Sequence, residues 1–230
     1  MTQQRILVLD GSPAGDAACG LAACVARDGA GRLSVVALCQ QAGRSAAEGI
    51  SLLAEQALAQ AGWTHANRPD CVAVVVGPGS FTGLRASCAV AAGYALGAAA
   101  ALVGVTRGEA MAPMLAAAVA AHGGALRGWQ LVTAARRGRV FVEGAQGVQA
   151  VSIADWHPPE GQWLIAGDAA QSLPYVTPVM ISQTQPTPEE IAAAALLRLS
   201  GGLPAREALP LYVDPPEASL PADGLRPAPV

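Results

Sequence analysis

Lysine is absent from this 230-residue chain, and all fourteen basic residues are arginines. A P-loop lysine on phosphates and a Schiff-base lysine on a carbonyl both need a side chain the protein lacks, so those chemistries are excluded. Charge of either sign is scarce, at 13% of residues with a formal net charge of -3. With a pI of about 5.6 the chain gains little from counterion release, which argues against direct high-affinity RNA binding except through a local arginine patch. Histidine is limited to His65, His122 and His157, far apart in turn-like or helix-end contexts and read as surface or structural residues. Cys19, Cys24, Cys39, Cys71 and Cys88 are odd in number, widely spread and free of any C-x-x-C pair. They read as small buried hydrophobes, because structural zinc wants closely spaced ligand pairs and a disulfide framework wants an even set.

The start, Met1 to Arg5, passes straight into Ile6–Leu9 and Asp10 without the long apolar segment and small-residue cleavage site of a secretory signal, so the cytoplasm is the expected compartment. The 21 positions from 86 to 106 carry no charge, enough to cross a bilayer. Only Val90, Leu96, Leu102, Val103 and Val105 among them are strongly apolar, and the alanine, glycine and serine between contribute little insertion energy, so a membrane span is disfavoured. Hydrophobic residues at 52% instead point to a globular protein that buries roughly 70% of its extended surface.

Apolar patterning predicts three antiparallel strands at Arg5–Asp10, Ala18–Ala26 and Leu33–Cys39, then an amphipathic helix over Ala46–Ala61 whose stripe is Ile50, Leu53, Ala54, Ala57, Leu58 and Ala61. Cys71–Val76 reads as a strand buried on both faces. A second helix is expected from about Leu84 to Ala101, then a strand at Leu102–Val105 and a helix around Glu109–Ala121. The second half repeats this more weakly, with strands at Gln130–Thr133, Arg139–Glu143 and Trp163–Ala166. Its closing helix, Pro188–Leu199, has Thr187 as cap, Pro188 at its first position and Glu189 and Glu190 at the positive end of its dipole. Three parts follow: a lobe over 1–105, a smaller α/β lobe over 106–212, and a tail over 213–230 holding Pro215, Pro216, Pro221, Pro227 and Pro229.

The informative segment is Val76-Gly77-Pro78-Gly79-Ser80-Phe81-Thr82-Gly83-Leu84-Arg85. Its glycines lie between a buried strand and a small-residue helix, so the turn is tight and presents backbone amides at a helix N-terminus, a geometry suited to an anion. Thr82 stands where a Rossmann fingerprint needs its third glycine, no Gly-Lys follows as in Walker A, and Ser80 directly follows Gly79, unlike a nucleophile elbow. The bland function of such glycines is close strand–helix packing. No set of side chains assembles a nucleophile, a base with an orienting partner, or a metal site, so function is expected from a surface. The 84–101 helix places Ala89, Gly93 and Gly97 four residues apart, which lets another helix approach closely, and its low charge argues for a covered second face.

The ten-residue string resembles the G-P-G-S-F-T-G-L-R signature of the TsaB (YeaZ-like) family. Arg5–Asp10 is similar to that family's opening strand, Ala57–Trp63 to the end of its first helix, Gly104–Thr106 to the strand exit beyond the second, Ala135–Phe141 to its D-A-R-R-G-E-V-Y segment and Pro210–Val213 to its P-L-Y-L. The resemblance spans roughly residues 5–213 and departs at Ala134 and Arg139, which replace acidic residues, and at Ala46, where relatives often have histidine. It implies an actin-like, Hsp70-like ATPase (ribonuclease H-like) α/β fold in two lobes. It further implies a non-catalytic scaffold subunit that binds and activates TsaD, works with TsaE in threonylcarbamoylating tRNA adenosine beside the anticodon, and homodimerises when free.

The partner-binding residues so implied are Ile50, Leu53, Ala57, Arg85, Ala89, Gly93, Leu96 and Gly97. Asp10, Ser12 and Gly77 to Gly83 form the motif nearest to any nucleotide. No cofactor or metal is expected on this chain alone; ATP or ADP and metal belong to TsaD or the interface, and tRNA is met only through the complex. The metal-binding histidines of the TsaD-like catalytic family fall here on Arg107 and Met111, neither of which matches a histidine pair. The alternative is an independent enzyme of the same fold, a small kinase or glycoprotease-like peptidase, with Asp10 and Ser12 as its candidate residues.

Overall fold

The structure is a computed structural model that describes residues 3–14, 19–43, 49–136, 138–157, 159–175 and 179–214. Ala46, Arg137 and the five tail prolines lie outside the described residues. Two five-stranded sheets carry the chain. The first comprises β1 (Gln4–Asp10), β2 (Cys19–Arg27), β3 (Leu33–Ala42), β4 (Cys71–Gly77) and β5 (Ala101–Thr106), in the order β3-β2-β1-β4-β5. β1, β4 and β5 run parallel, whereas β2 pairs antiparallel with β1 and β3 antiparallel with β2. Every residue of β4 is buried, as its continuous apolar, β-branched run requires of a strand covered on both faces.

Helix α1 (Ile50–Gln60) and helix α2 (Phe81–Ala98) cover one face of this sheet, where Leu7, Leu9, Val72 and Val74 meet Leu53, Ala57, Ala91 and Ala95. Helix α4 (Pro188–Leu199) covers the other, packing Ile191, Ala192 and Ala195 on Ile6, Val8, Ala73 and Val75. The last helix therefore belongs to the first sheet rather than to the second lobe expected from chain order, because it is the apolar cover that face lacks. α2 begins at Phe81, three residues before the expected start, since the Ser80 hydroxyl accepts from the Gly83 amide and caps it. It ends at Ala98, where Ala99 turns left-handed at φ 49° and the amide of Ala100 bonds back to the Ala95 carbonyl.

The second sheet repeats the topology of the first. It comprises β6 (Leu126–Ala134), β7 (Arg139–Gly144), β8 (Gly147–Ser152), β9 (Gln162–Ala166) and β10 (Val179–Met180), in the order β10-β9-β6-β7-β8. β6 is again central, with a parallel partner on one side and a hairpin on the other. The expected strands are present but longer, and β8 and β10 escaped the sequence pattern because one is half-exposed and the other has two residues. Helix α3 (Arg107–Ala121) lies between the sheets, setting Met111 and Leu115 against Leu131 and Leu164 while also touching α4. After α4 the chain runs back over the first sheet, where the Leu211 amide bonds the Val76 carbonyl.

The α4 start is the clearest case of local sequence dictating local structure. Thr187 accepts from the Glu190 amide at 3.2 Å and Glu190 accepts from the Thr187 amide at 2.8 Å, a reciprocal capping box with proline following the cap. Thr187→Ala should cost about 1 kcal/mol, read as a fall of roughly 2–4 °C in Tm by thermal denaturation.

Candidate functional site

The glycine turn takes its shape from its contact with the turn after β1. Beyond β4 the chain passes a cis Gly77–Pro78 bond, and the Ser80 amide donates to the Ser12 carbonyl at 2.7 Å. A Cβ on Gly79 would run into the Ser12 backbone, and one on Gly83 into the Gly11 carbonyl. Glycine is needed at both positions because two backbones meet there with no room for a side chain. The amides of Ser80 and Gly83 are thereby committed to the Ser12 carbonyl and the Ser80 hydroxyl rather than left for an anion. Pro78 is buried, Gly79 and Ser80 are half-buried, and Phe81 and Thr82 are exposed. Arg85 leans on this turn: its guanidinium lies 3.8 Å over the Phe81 ring and its Nε donates to the Tyr212 hydroxyl at 2.8 Å.

Once α2 leaves the turn in this direction, its two faces are assigned. Leu84, Cys88, Ala91 and Ala95 point into the sheet, while Ala89, Gly93, Leu96 and Gly97 point outward. Leu96 is 86% exposed. A Cβ at Gly93 or Gly97 would meet nothing within 4 Å. Between α1 and α2 a groove of about 510 Å³ is lined by Leu58, Trp63, Val90, Gly93, Tyr94 and Gly97. Ile50, Leu53 and Ala57, expected at a partner surface, are instead in the core, because the α1 stripe read from the sequence is the face that covers the sheet. The outer face of α1 carries Leu52, Glu55, Gln56 and Ala59, with Leu52 54% exposed.

A second concentration of polar groups lies where the lobes meet, and the sequence patterns did not reveal it. Asp10 and Ser12 are completely buried. The Ser12 amide donates to Asp10 Oδ1 at 2.8 Å, leaving Asp10 Oδ2 and Ser12 Oγ without partners. Burial pushes the Asp10 carboxyl above its ordinary range, against the lowering pull of Arg107. Glu143 accepts from the Thr106 hydroxyl and, at 2.8 Å, from the Gly108 amide, and burial raises its carboxyl to about 7. Gly108 is obligatory because a Cβ would strike the Glu143 carboxylate. Arg107 and Met111 are both buried. Arg139 holds Asp214 with both ends of its fork, at 2.8 and 3.2 Å.

Residues 38–152, half of the chain, match the family described as TsaD: tRNA N6-adenosine threonylcarbamoyltransferase. The chain belongs to the TsaD family. Among solved structures, this TsaD-family chain is similar to an uncharacterized protein with similarity to peptidase YEAZ from Pseudomonas aeruginosa, at TM-score 0.64 and 21% identity over 92% of this chain and 100% of that one. It is also similar to YeaZ from Pseudomonas aeruginosa, at TM-score 0.63 and 20% identity over 91% and 99%. These likenesses establish a YeaZ-like fold, built here on two five-stranded α/β sheets. No curated protein matches the chain significantly. Among the described residues no helix is long and apolar enough to cross a membrane, and no group of three or more histidine, cysteine, aspartate or glutamate side chains is placed to hold a metal ion. His65, His122 and His157 are exposed, and the five cysteines are free thiols, four of them buried.

Two outcomes follow for the TsaD-family chain. Gly83→Ala should destabilise it by several kcal/mol, because the β1 and β4 turns must separate. A Gly83→Ala variant with an unchanged denaturant midpoint would contradict the contact. Glu143 titrates higher folded, at about 7, than unfolded, so its favourable contribution is complete below the unfolded value and is lost as pH rises through 7. Relative to Glu143→Gln, the wild type should lose roughly 2–3 kcal/mol between pH 5 and pH 8 in urea titrations.

Proposed function

We propose that this chain is a non-catalytic subunit in the formation of N6-threonylcarbamoyladenosine on tRNA, binding a TsaD catalytic subunit through the outer face of α2 and the groove beside α1, and holding it in its active state. The supporting observation is the exposed run Ala89, Gly93, Leu96 and Gly97, whose small residues allow a partner helix to approach at backbone distance and whose leucine supplies an apolar anchor. Membership of the TsaD family supports a TsaD subunit as that partner, and ATP or ADP with its metal would sit on that partner or at the interface. TsaE completes the set, tRNA is met through the complex, and a free copy would cover the same face by homodimerising. Asp10 and Ser12, the residues an independent enzyme would use, are completely buried, which favours the scaffold over the small kinase or peptidase.

The face allows a clean test. Gly93→Leu and Leu96→Asp alter side chains that touch nothing in the core, so each should leave Tm within about 2 °C of wild type yet weaken co-purification with TsaD at least about tenfold. Leu53→Asp should unfold the chain, because it places a charge in the core. Reconstituting tRNA threonylcarbamoylation from TsaD, TsaE, tRNA and an activated threonylcarbamoyl donor should require this chain, while the chain alone should show no ATP hydrolysis. Full modification without it would defeat the proposal.

A further inference from the structure

The proline-rich segment that closes the sequence starts at the head of the proposed docking face. The Tyr212 ring lies 5.4 Å from that of Phe81, and its hydroxyl accepts from Arg85 Nε at 2.8 Å, both residues standing at the start of α2. Arg85 heads the outward row of α2 that continues through Ala89, Gly93 and Leu96. Two residues after Tyr212, Asp214 is held by Arg139, and positions 215–230, which lie outside the described residues, follow it. Further along the same helix, the groove between α1 and α2 sets Trp63 and Tyr94 beside Gly93 and Gly97, where a Cβ would meet nothing within 4 Å. The described residues lining it include the exposed His65 and Arg68 and no carboxylate.

Aromatic walls over an open glycine floor suit a proline-rich chain, whose extended form is set before binding and so loses little entropy on docking. A rim bearing Arg68 suits an apolar stretch flanked by carboxylates. Residues 217–223 have that pattern, with Leu220 and Pro221 between Glu217 and Asp223, and Arg226 beyond them. The lengths agree as well. The six residues from Asp214 to Leu220 span about 20 Å when extended, and α2 rises about 12 Å from Arg85 to Gly93 and about 18 Å to Gly97. We propose that residues 217–223 occupy the groove between α1 and α2 in the free chain, so that the protein covers part of its own docking face until a partner displaces them. What is displaced rests on the reading of α2 as the TsaD-binding face, whereas the occupancy itself needs no partner.

The absence of lysine makes this contact directly readable. Arg68→Lys in the full chain introduces a single side-chain amine. A water-soluble carbodiimide should join that amine to Glu217 or Asp223 by an amide bond within one monomer, identified by peptide mass mapping. Adding Leu220→Asp should reduce the product at least about tenfold, because a charge is then driven into an apolar groove. With Arg68 intact, Leu220→Asp should tighten TsaD binding at least about threefold, since a larger fraction of the chain has its face free. Joining to Glu55 or Asp70 alone, joining to Glu217 or Asp223 of a second copy, or a Leu220→Asp chain that binds TsaD no more tightly than wild type would overturn the proposal. A chain that cross-links as expected yet binds no TsaD upholds the occupancy and counts against the scaffold reading instead.

Discussion

The Ser80 amide on the Ser12 carbonyl, with no side chain at Gly79 or Gly83 to hold the two backbones apart, is the contact on which the arrangement of the first lobe depends. It joins the ends of β1 and β4, which are neighbours in the sheet, and so fixes the direction in which α2 departs. Everything α2 presents follows from that direction. Cys88, Ala91 and Ala95 reach the sheet, while Ala89, Gly93, Leu96 and Gly97 are left to solvent. The same contact takes up the Ser80 amide, and the Gly83 amide goes to the Ser80 hydroxyl, so neither of these two is offered to an anion.

The absence of lysine acquires a structural meaning between the lobes. Each arginine at this boundary serves several acceptors: Arg107 bonds Asp168 and Thr184, Arg139 bonds Asp214 and Ala150, and Arg198 bonds Glu109 and the carbonyls of Gly104 and Pro204. A lysine ammonium is a point charge without that planar fork, and it is more strongly hydrated when it must be buried. Where such charge is buried, at Arg107 and Arg198, it is costly unless fully paired, so these two sites contribute orientation more than net stability. The C-terminal segment follows the same plan on the outside, with Arg206 on Glu109, Leu211 on Val76, Tyr212 on Arg85 and Asp214 on Arg139. It thereby runs from the first lobe to the second.

The two sheets share one strand order around β1 and β6, but they are covered differently. The first has helices on both faces. The second has α3 on one face and, on the other, the loop residues Ala169, Ala170 and Leu173 with Trp156 and Tyr175. Exposed large apolar side chains include Leu96 of α2, Leu52 of α1, Leu197 and Leu199 of α4 and Leu209 beyond it, and Leu96 is the most exposed of these.

From the sequence alone the strands of the first sheet, the α4 cap and the two-lobe α/β class could be read, because each rests on patterns local in the chain: an apolar run, a period, or a threonine three residues before a glutamate. The glycine string was legible as a tight turn for the same reason. Which side of α1 faces the sheet was not, since an apolar stripe marks a face that is covered without saying by what, and Ile50, Leu53 and Ala57 proved to be covered by the chain's own strands. The placement of α4 on the first sheet and the gathering of Asp10, Arg107, Glu143 and Asp168 join residues more than 150 positions apart. Such contacts leave no periodic trace, and they come into being only when the sheets pack and the buried Arg107 and Glu143 must find polar partners.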